Sequence, residues 1–488
     1  MNKYEALIIL LIFSVSITSC SSKKAKPNIL FIAIDDLRPE LGAYGNKVVQ
    51  SPNLDRLANE GFLFNNHFVQ VPTCGASRYS MLTGMRPVSR AHLKNNIFEH
   101  AVDGIEKEIP ETFVHHLKRN GYRTVGIGKI THSVDGFIYG YTEKPSERKE
   151  LPLSWDEFLF DSNKWGTGWN AFFGYADGSN RQGMKRQVKP YEKGAVEDDG
   201  YPDGIMADMA IAKLKELKNQ DKPFFLGLGF FKPHLPFNSP AKYWDLYDPE
   251  EIPISKNKYI PKNVHKSSLH KSGEINGYHL TDEKASLEAP VSDEYMRKLT
   301  HAYYACVSYT DAQVGKVLDE LKSLGLEENT IVVVWGDHGW HLGDQQIWAK
   351  HTVFENSLRS AFMIKVPGKN GNTIDDIVES VDIYPTLLEL CGVSKTHKTD
   401  GNSLLPLLNG QKESNDGVAY GYYRNGISVR NDRYRLSKYF REEMPNVELY
   451  DHETDPMESV NIAAENPDIV KALMPLLEKG NTGLYSSK

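Results

Sequence analysis

The stretch Asn28 to Ile34 reads as one apolar run and stops at Asp35-Asp36. A run without alternation is what a parallel strand needs when helices cover both faces of its sheet. The pattern recurs: Thr124 to Ile127 leads into Gly128-Lys129, Pro223 to Phe230 into Lys232-Pro233-His234, and Ile331 to Trp335 into Gly336-Asp337-His338-Gly339. Helical segments lie between them. Thr112 to Arg119 puts Phe113, Val114 and Leu117 on one face and stops at Asn120-Gly121, and Ile205 to Leu217 is amphipathic. Ser292 caps a long helix whose first turn carries Asp293 and Glu294 and which Gly325 closes. Four apolar runs ending in charged or imidazole side chains predict an α/β fold with its ligands along one edge of the sheet.

At 488 residues, with 40% hydrophobic and 25% charged residues, the chain can bury a large core and a smaller second one. The alternation is broken by two long polar, aromatic-rich stretches, Ser133 to Tyr201 and Asn238 to Pro290. Loops of that length usually serve function, and they are expected to wall a substrate pocket or to pack tryptophans such as Trp155, Trp165 and Trp169 over the core. After Leu408-Asn409-Gly410 the composition turns to short tyrosine-rich runs, Val418 to Tyr423 and Gly426 to Val429, which predict a small antiparallel sheet. The expected organisation is a catalytic unit over 27–410 and a C-terminal subdomain over 411–488.

Lys3 followed by an apolar run from Ala6 to Val15 is a targeting segment, far too short for the roughly 20 residues that span a bilayer. Ile17-Thr18-Ser19-Cys20 resembles a bacterial lipobox, so residues 1–20 read as a lipoprotein signal peptide with Cys20 lipidated, followed by a polar tether, Ser21 to Lys26. The expected location is the periplasm or cell surface, with membrane contact only through the lipid. A net charge of -7 argues against bulk attraction to nucleic acid or a polyanionic glycan, so an anionic ligand must meet a local cluster of cations. Of the remaining cysteines, Cys306 and Cys391 could bridge in an oxidising compartment, but both lie in apolar surroundings and read as core residues.

The chemistry centres on Cys74-Gly75-Ala76-Ser77-Arg78, followed by Leu82-Thr83-Gly84. Asp35, Asp36, Asp337 and His338 suit a metal site, provided their two strands are neighbours, and such oxygen-rich ligation favours calcium over magnesium. Lys129, His132, His234 and Lys350 each follow or adjoin an apolar run and form the candidate cations for an anionic group. His116, His301 and His351 lack such settings and read as structural. Trp340 is a candidate for the wall of a sugar site, and Arg430 and Lys438 are candidates to meet a substrate carboxylate.

The Cys74 segment resembles the sulfatase signature C-x-(P/A)-S-R-x-x-x-L-T-G, with Ala76 in place of the commoner proline and Met85 where arginine is frequent. Asp35-Asp36-Leu37-Arg38-Pro39, Ser51-Pro52-Asn53-Leu54-Asp55, Gly128-Lys129-Ile130-Thr131-His132, Lys232 to Phe237, Asp337-His338-Gly339-Trp340 and Trp348-Ala349-Lys350 look, in the same order, like the iduronate-2-sulfatase branch of that family. The resemblance implies an alkaline-phosphatase-like, mostly parallel sheet sandwiched by helices. It implies that Cys74 is oxidised to formylglycine by a formylglycine-generating or anaerobic sulfatase-maturating enzyme, and that Ca2+ is held by Asp35, Asp36, Asp337, His338 and the modified Cys74. A hydroxyl of the aldehyde hydrate would then attack sulfur with help from Arg78, Lys129 and Lys350 would neutralise the sulfuryl oxygens, His234 would protonate the leaving oxygen, and His132 would assist sulfate release. The implied substrate is a sulfated oligosaccharide, from a glycosaminoglycan with uronate 2-O-sulfate or from a marine ulvan-type glycan. Two other readings stay open: a phosphatase or phosphonate hydrolase on the same fold, and a glycan-binding lipoprotein without turnover.

Overall fold

The structure is a computed structural model and describes residues 26–100, 110–411 and 417–485. The targeting run, the lipobox with Cys20 and most of the tether lie outside the described residues. The large sheet comprises β1 (Asn28–Ile34), β2 (Phe62–Phe68), β3 (Arg123–Gly128), β4 (Glu157–Leu159), β5 (Phe224–Phe230), β6 (Thr330–Gly336), β7 (Phe362–Lys365) and β8 (Thr373–Glu379). Their order across the sheet is β8-β2-β7-β6-β1-β5-β3-β4. Only β7 runs against the rest. From β6 to β3 every pairing is parallel, so Asp35, Lys129, His234 and Asp337 follow four adjacent strands on the same edge.

β1 shows why its sequence has no polar alternation. Leu30, Ile32 and Ile34 enter a core on one face of the sheet, and Ile29, Phe31 and Ala33 enter a core on the other. The Pro202–Leu217 and Asp293–Ser323 helices fill the first core; the Phe113–Arg119, Cys74–Thr83 and Ile383–Leu390 helices fill the second. The long helix begins as its sequence requires, with Ser292 Oγ accepting from the Tyr295 N–H at 3.1 Å. Cys306 lies in the first core and Cys391 in the second, both as free thiols. With the sheet between them a bridge is excluded, and both serve as packing.

The smaller sheet is an antiparallel meander of β9 (Ala419–Tyr423), β10 (Gly426–Arg430), β11 (Tyr434–Tyr439) and β12 (Val447–Asp451). The Pro467–Gly480 helix packs Leu473 and Leu477 against its Tyr420, Tyr422 and Ile427. Buried polar contacts dock it on the large sheet: the Tyr420 N–H donates to Glu379 at the end of β8, and Arg435 reaches Glu355 and Glu458. No helix among the described residues is long and apolar enough to cross a membrane.

β3 and β5 approach closely because glycines face each other, Gly126 opposite Gly227 and Gly128 opposite Gly229. A Cβ on Gly229 would come within 2.2 Å of the Lys129 carbonyl carbon and oxygen, and that backbone cannot yield without moving Lys129. We expect Gly229→Ala to cost about 1–3 kcal/mol, read as a lower thermal midpoint than wild type in paired scans. An unchanged midpoint would show that this contact does not set the strand spacing.

Candidate active site

The Cys74–Thr83 helix places residue 74 in its first turn, where unpaired N–H groups and the helix dipole favour an anion. Arg78 lies one turn later on the same face, which is the physical reason for the four-residue spacing. Its guanidinium is fully buried. Nε donates to Asp337 Oδ2 at 3.0 Å, Nη2 meets Asp35 Oδ1 at 3.3 Å, and Nη1 donates to the Lys129 carbonyl. Ser77 Oγ donates to the Asp337 carbonyl. One helical turn thus joins the ends of β1, β3 and β6.

Asp35, Cys74, Asp337 and His338 bring one donor atom each to within 4.8 Å of one another, and all four are buried. Asp36 lies beside this cluster rather than in it: it forms a similar triple with Cys74 and His234, and His338 Nε2 is 3.4 Å from its Oδ1. Asp36 adopts a positive φ of 62°, a turn held by the Tyr303 hydroxyl donating to its carbonyl and by its own N–H donating to Asp337 Oδ1. His338 Nδ1 faces the Gly339 carbonyl at 3.0 Å, which keeps its proton there and leaves the Nε2 lone pair toward Cys74 Sγ at 3.2 Å. That is the tautomer a metal ligand needs.

The electrostatics of the carboxylates agree with a cation site. Burial, then repulsion from its neighbours, pushes Asp36 and Asp337 above the usual carboxylate range; at Asp35 the Lys129, His234 and Arg78 charges overcome burial and hold it well below. Three buried carboxylates with an imidazole lone pair fit a hard divalent cation, which would remove the cost of crowding them. Burial and then Asp35 push the Cys74 thiol up to about 12, so as a thiol it carries little thiolate at neutral pH.

The anion-binding candidates converge on the same point. Lys129 meets Asp35 and lies over the Phe172 ring at 4.3 Å. Lys350 Nζ donates to Asp36 at 3.0 Å, and the residues on either side of it, Ala349 and His351, have φ of 101° and 73°. Non-glycine residues in such conformations are held against strain, which occurs where a side chain must be aimed. His234 Nδ1 donates to the Leu235 carbonyl, and its Nε2 is 3.1 Å from Glu274 Oε1, a contact that needs one proton between them. Burial and then Lys350 draw His234 down to about 3, while Asp35 and Glu274 act to raise it, so the Glu274 carboxylate is placed to favour a proton on Nε2. His132 has a buried, unpartnered Nδ1, with Tyr141 and Trp169 against its ring.

These groups open into a cavity of about 1250 Å³, room for more than one sugar ring. Its walls come from both irregular stretches, including Tyr141, Phe173 and Arg181 from the first and His270 and Glu274 from the second, with Tyr423 and Arg424 added by the small sheet. Several expectations are corrected. Of the two roles open to Trp155, Trp165 and Trp169, the structure shows packing: all three are buried and none lines the cavity. Trp340 lies fully buried under Lys350 at 4.9 Å, carrying the ammonium instead of the sugar. Arg430 pairs with Glu355 and Lys438 lies over Phe440, both away from the cavity. His351 lines the cavity, whereas His116 and His301 are structural, bound to Tyr384 and to the Trp244 carbonyl. Glu274 was not foreseen: it sits in an irregular stretch without apolar periodicity, yet one oxygen serves both Lys350 and His234. A second metal-capable group, Glu355, His452 and Glu458, is already paired with Arg435 and Arg430.

The family model described as Sulfatase matches residues 27–393. The chain belongs to the sulfatase family. A second model, N-sulphoglucosamine sulphohydrolase C-terminal, matches residues 336–481 of this sulfatase. A protein named sulfatase from Formosa agariphila is 31% identical over 93% of this chain and 87% of its own length. Iduronate 2-sulfatase of Mus musculus is 32% identical over 75% of this chain and 69% of its own. The solved phosphonate monoester hydrolase of Agrobacterium radiobacter shares the fold, with a TM-score of 0.72 at 20% identity over 93% of this chain and 95% of that one. This sulfatase is accordingly a sulfuric ester hydrolase on an alkaline-phosphatase-like fold, as the sequence implied.

Glu274 gives a direct test of the pairing. Glu274→Gln removes a charge that favours a proton on His234 Nε2, and it also removes a negative charge from beside the anion-binding lysine Lys350. We expect kcat for sulfate-ester hydrolysis to fall about tenfold or more while KM stays level or falls. An unchanged kcat would remove Glu274 from the working site.

Proposed function

We propose that this sulfatase is formylglycine-dependent and calcium-binding, and that it hydrolyses sulfate esters on uronate-containing oligosaccharides released from sulfated polysaccharides. The observation that supports this reading is the convergence of Cys74, three buried carboxylates, two lysines and His234 at the floor of a cavity wide enough for an oligosaccharide. Iduronate 2-sulfatase among the relatives supports a uronate 2-O-sulfate, and an ulvan-active sulfatase of Formosa agariphila, 28% identical, supports a marine glycan source.

Formylglycine made from Cys74 would supply the nucleophile for sulfur, and Ca2+ held by Asp35, Asp36, Asp337 and His338 would supply positive charge beside it. The chain's own residues carry the remainder of the work. Lys129 and Lys350 flank residue 74 and neutralise sulfuryl oxygens; because both ammonium groups are anchored by carboxylates and by the faces of Phe172 and Trp340, they need no reorganisation when charge develops. His234 Nε2, with the Glu274 carboxylate beside it favouring protonation, is the group placed to deliver a proton to the departing alcohol oxygen. His132, with its free Nδ1, takes a proton when sulfate is released. Arg78 positions Asp35 and Asp337. The reading also includes a maturation enzyme that oxidises Cys74, and lipid anchoring through Cys20 at the periplasmic or outer surface.

Peptide mass spectrometry on active protein should show residue 74 as the aldehyde. Cys74→Ala should lower turnover of an aryl sulfate by about 10³-fold or more. Full activity in material that carries only the unmodified thiol would overturn the mechanism.

A further inference from the structure

Arg181 is a buried cation of this cavity that the reaction leaves unused. It is only 8% exposed and lines the cavity. Its guanidinium carbon lies 3.5 Å from the centre of the Phe173 ring and 5.2 Å from that of Tyr278, so two aromatic faces fix its plane. Its polar contacts are weak and neutral, Nε to Gln182 Oε1 at 3.3 Å and Nη1 to the Tyr278 hydroxyl at 3.5 Å. Among the described residues no carboxylate pairs with it. The other deeply buried arginines contrast with this: Arg78 meets Asp35 and Asp337, and Arg435 meets Glu355 and Glu458.

A buried guanidinium without a counter-charge is costly to desolvate, and its planar fork matches an oxyanion with two parallel hydrogen bonds. Its position is also specific. The Phe173 ring that carries it is 6.3 Å from the His234 imidazole and 5.5 Å from Tyr141. It therefore stands one aromatic ring from the group facing the leaving oxygen, a span that a single pyranose bridges.

We propose that Arg181 binds a second oxyanion of the substrate, a carboxylate or a further sulfate carried one sugar ring from the ester that is cleaved, and thereby selects doubly anionic sugars. This rests on the sulfated-sugar reading above and narrows it to a substrate class.

The test compares three disaccharides whose terminal sugar is a 2-sulfated hexuronate, its carboxyl-reduced 2-sulfated hexose, or the 2,6-disulfated hexose. The mature wild type should prefer the hexuronate to the reduced sugar by roughly 10- to 100-fold in kcat/KM, as expected for a charge-assisted pair. Arg181→Met, which keeps the apolar stack, should bring that ratio close to one through KM, and Arg181→Lys should fall between. Recovery of the preference by the 2,6-disulfate supports an oxyanion of either kind at this subsite; preference for the hexuronate alone supports a carboxylate. A wild-type ratio near one, or a ratio that Arg181→Met leaves intact, overturns the proposal. If none of the three is hydrolysed, the sulfated-uronate reading fails by itself. Calorimetric binding of the same sugars to wild type and Arg181→Met then decides the subsite separately: a carboxylate-dependent affinity that vanishes in the variant supports it, and its absence overturns it.

Discussion

The site depends on one buried cation, Arg78. Without it, Asp35 and Asp337 would bring two carboxylates together at the ends of adjacent parallel strands with no fixed geometry between them. The guanidinium binds both and also caps the Lys129 carbonyl, so a single side chain sets three strand ends relative to the first turn of the Cys74–Thr83 helix. A planar five-donor group can do this and an ammonium cannot, since only the former reaches three acceptors in fixed directions. Breaking such a buried pair leaves uncompensated carboxylates, the costly case for ionic interactions in a protein interior.

Around that anchor the molecule separates regular from irregular parts. The four strands that present Asp35, Lys129, His234 and Asp337 are packed on both faces and spaced by facing glycines. The cavity walls come from stretches with little regular structure and from the tip of the small sheet. Charge follows the same division. At the floor each cation has a carboxylate, which holds the ammonium groups in place ahead of the reaction, whereas on the wall Arg181 has none. Paired charges suit a reaction centre that must be preorganised, and an unpaired one suits a group that waits for its ligand.

Much of this was legible in the sequence because it follows from short-range rules. Unalternated apolar runs of strand length identified β1, β3, β5 and β6, and the residues directly after them had to share an edge once the strands were parallel. The Cys74 and Arg78 pair was legible as a motif, and the structure put both on one helical face. The tryptophans could be read either as pocket walls or as core, because size and aromaticity suit both, and Trp340, Arg430 and Lys438 were misplaced for want of any sign of what would pack above them.

What the sequence determined by itself is the set of elements and the chemistry at their ends: an α/β sheet, a thiol and guanidinium four residues apart, and carboxylates and imidazoles at strand termini. Tertiary structure alone decided which charges meet. Glu274, in a single helical turn, and Arg181 both lie in the two long stretches where no periodicity ties a residue to a face, and the partners of Glu274 are distant along the chain. Whether a charged side chain is paired or free depends on the distances between such segments after folding, and that is why Glu274 became the partner of His234 and Arg181 was left open to the cavity.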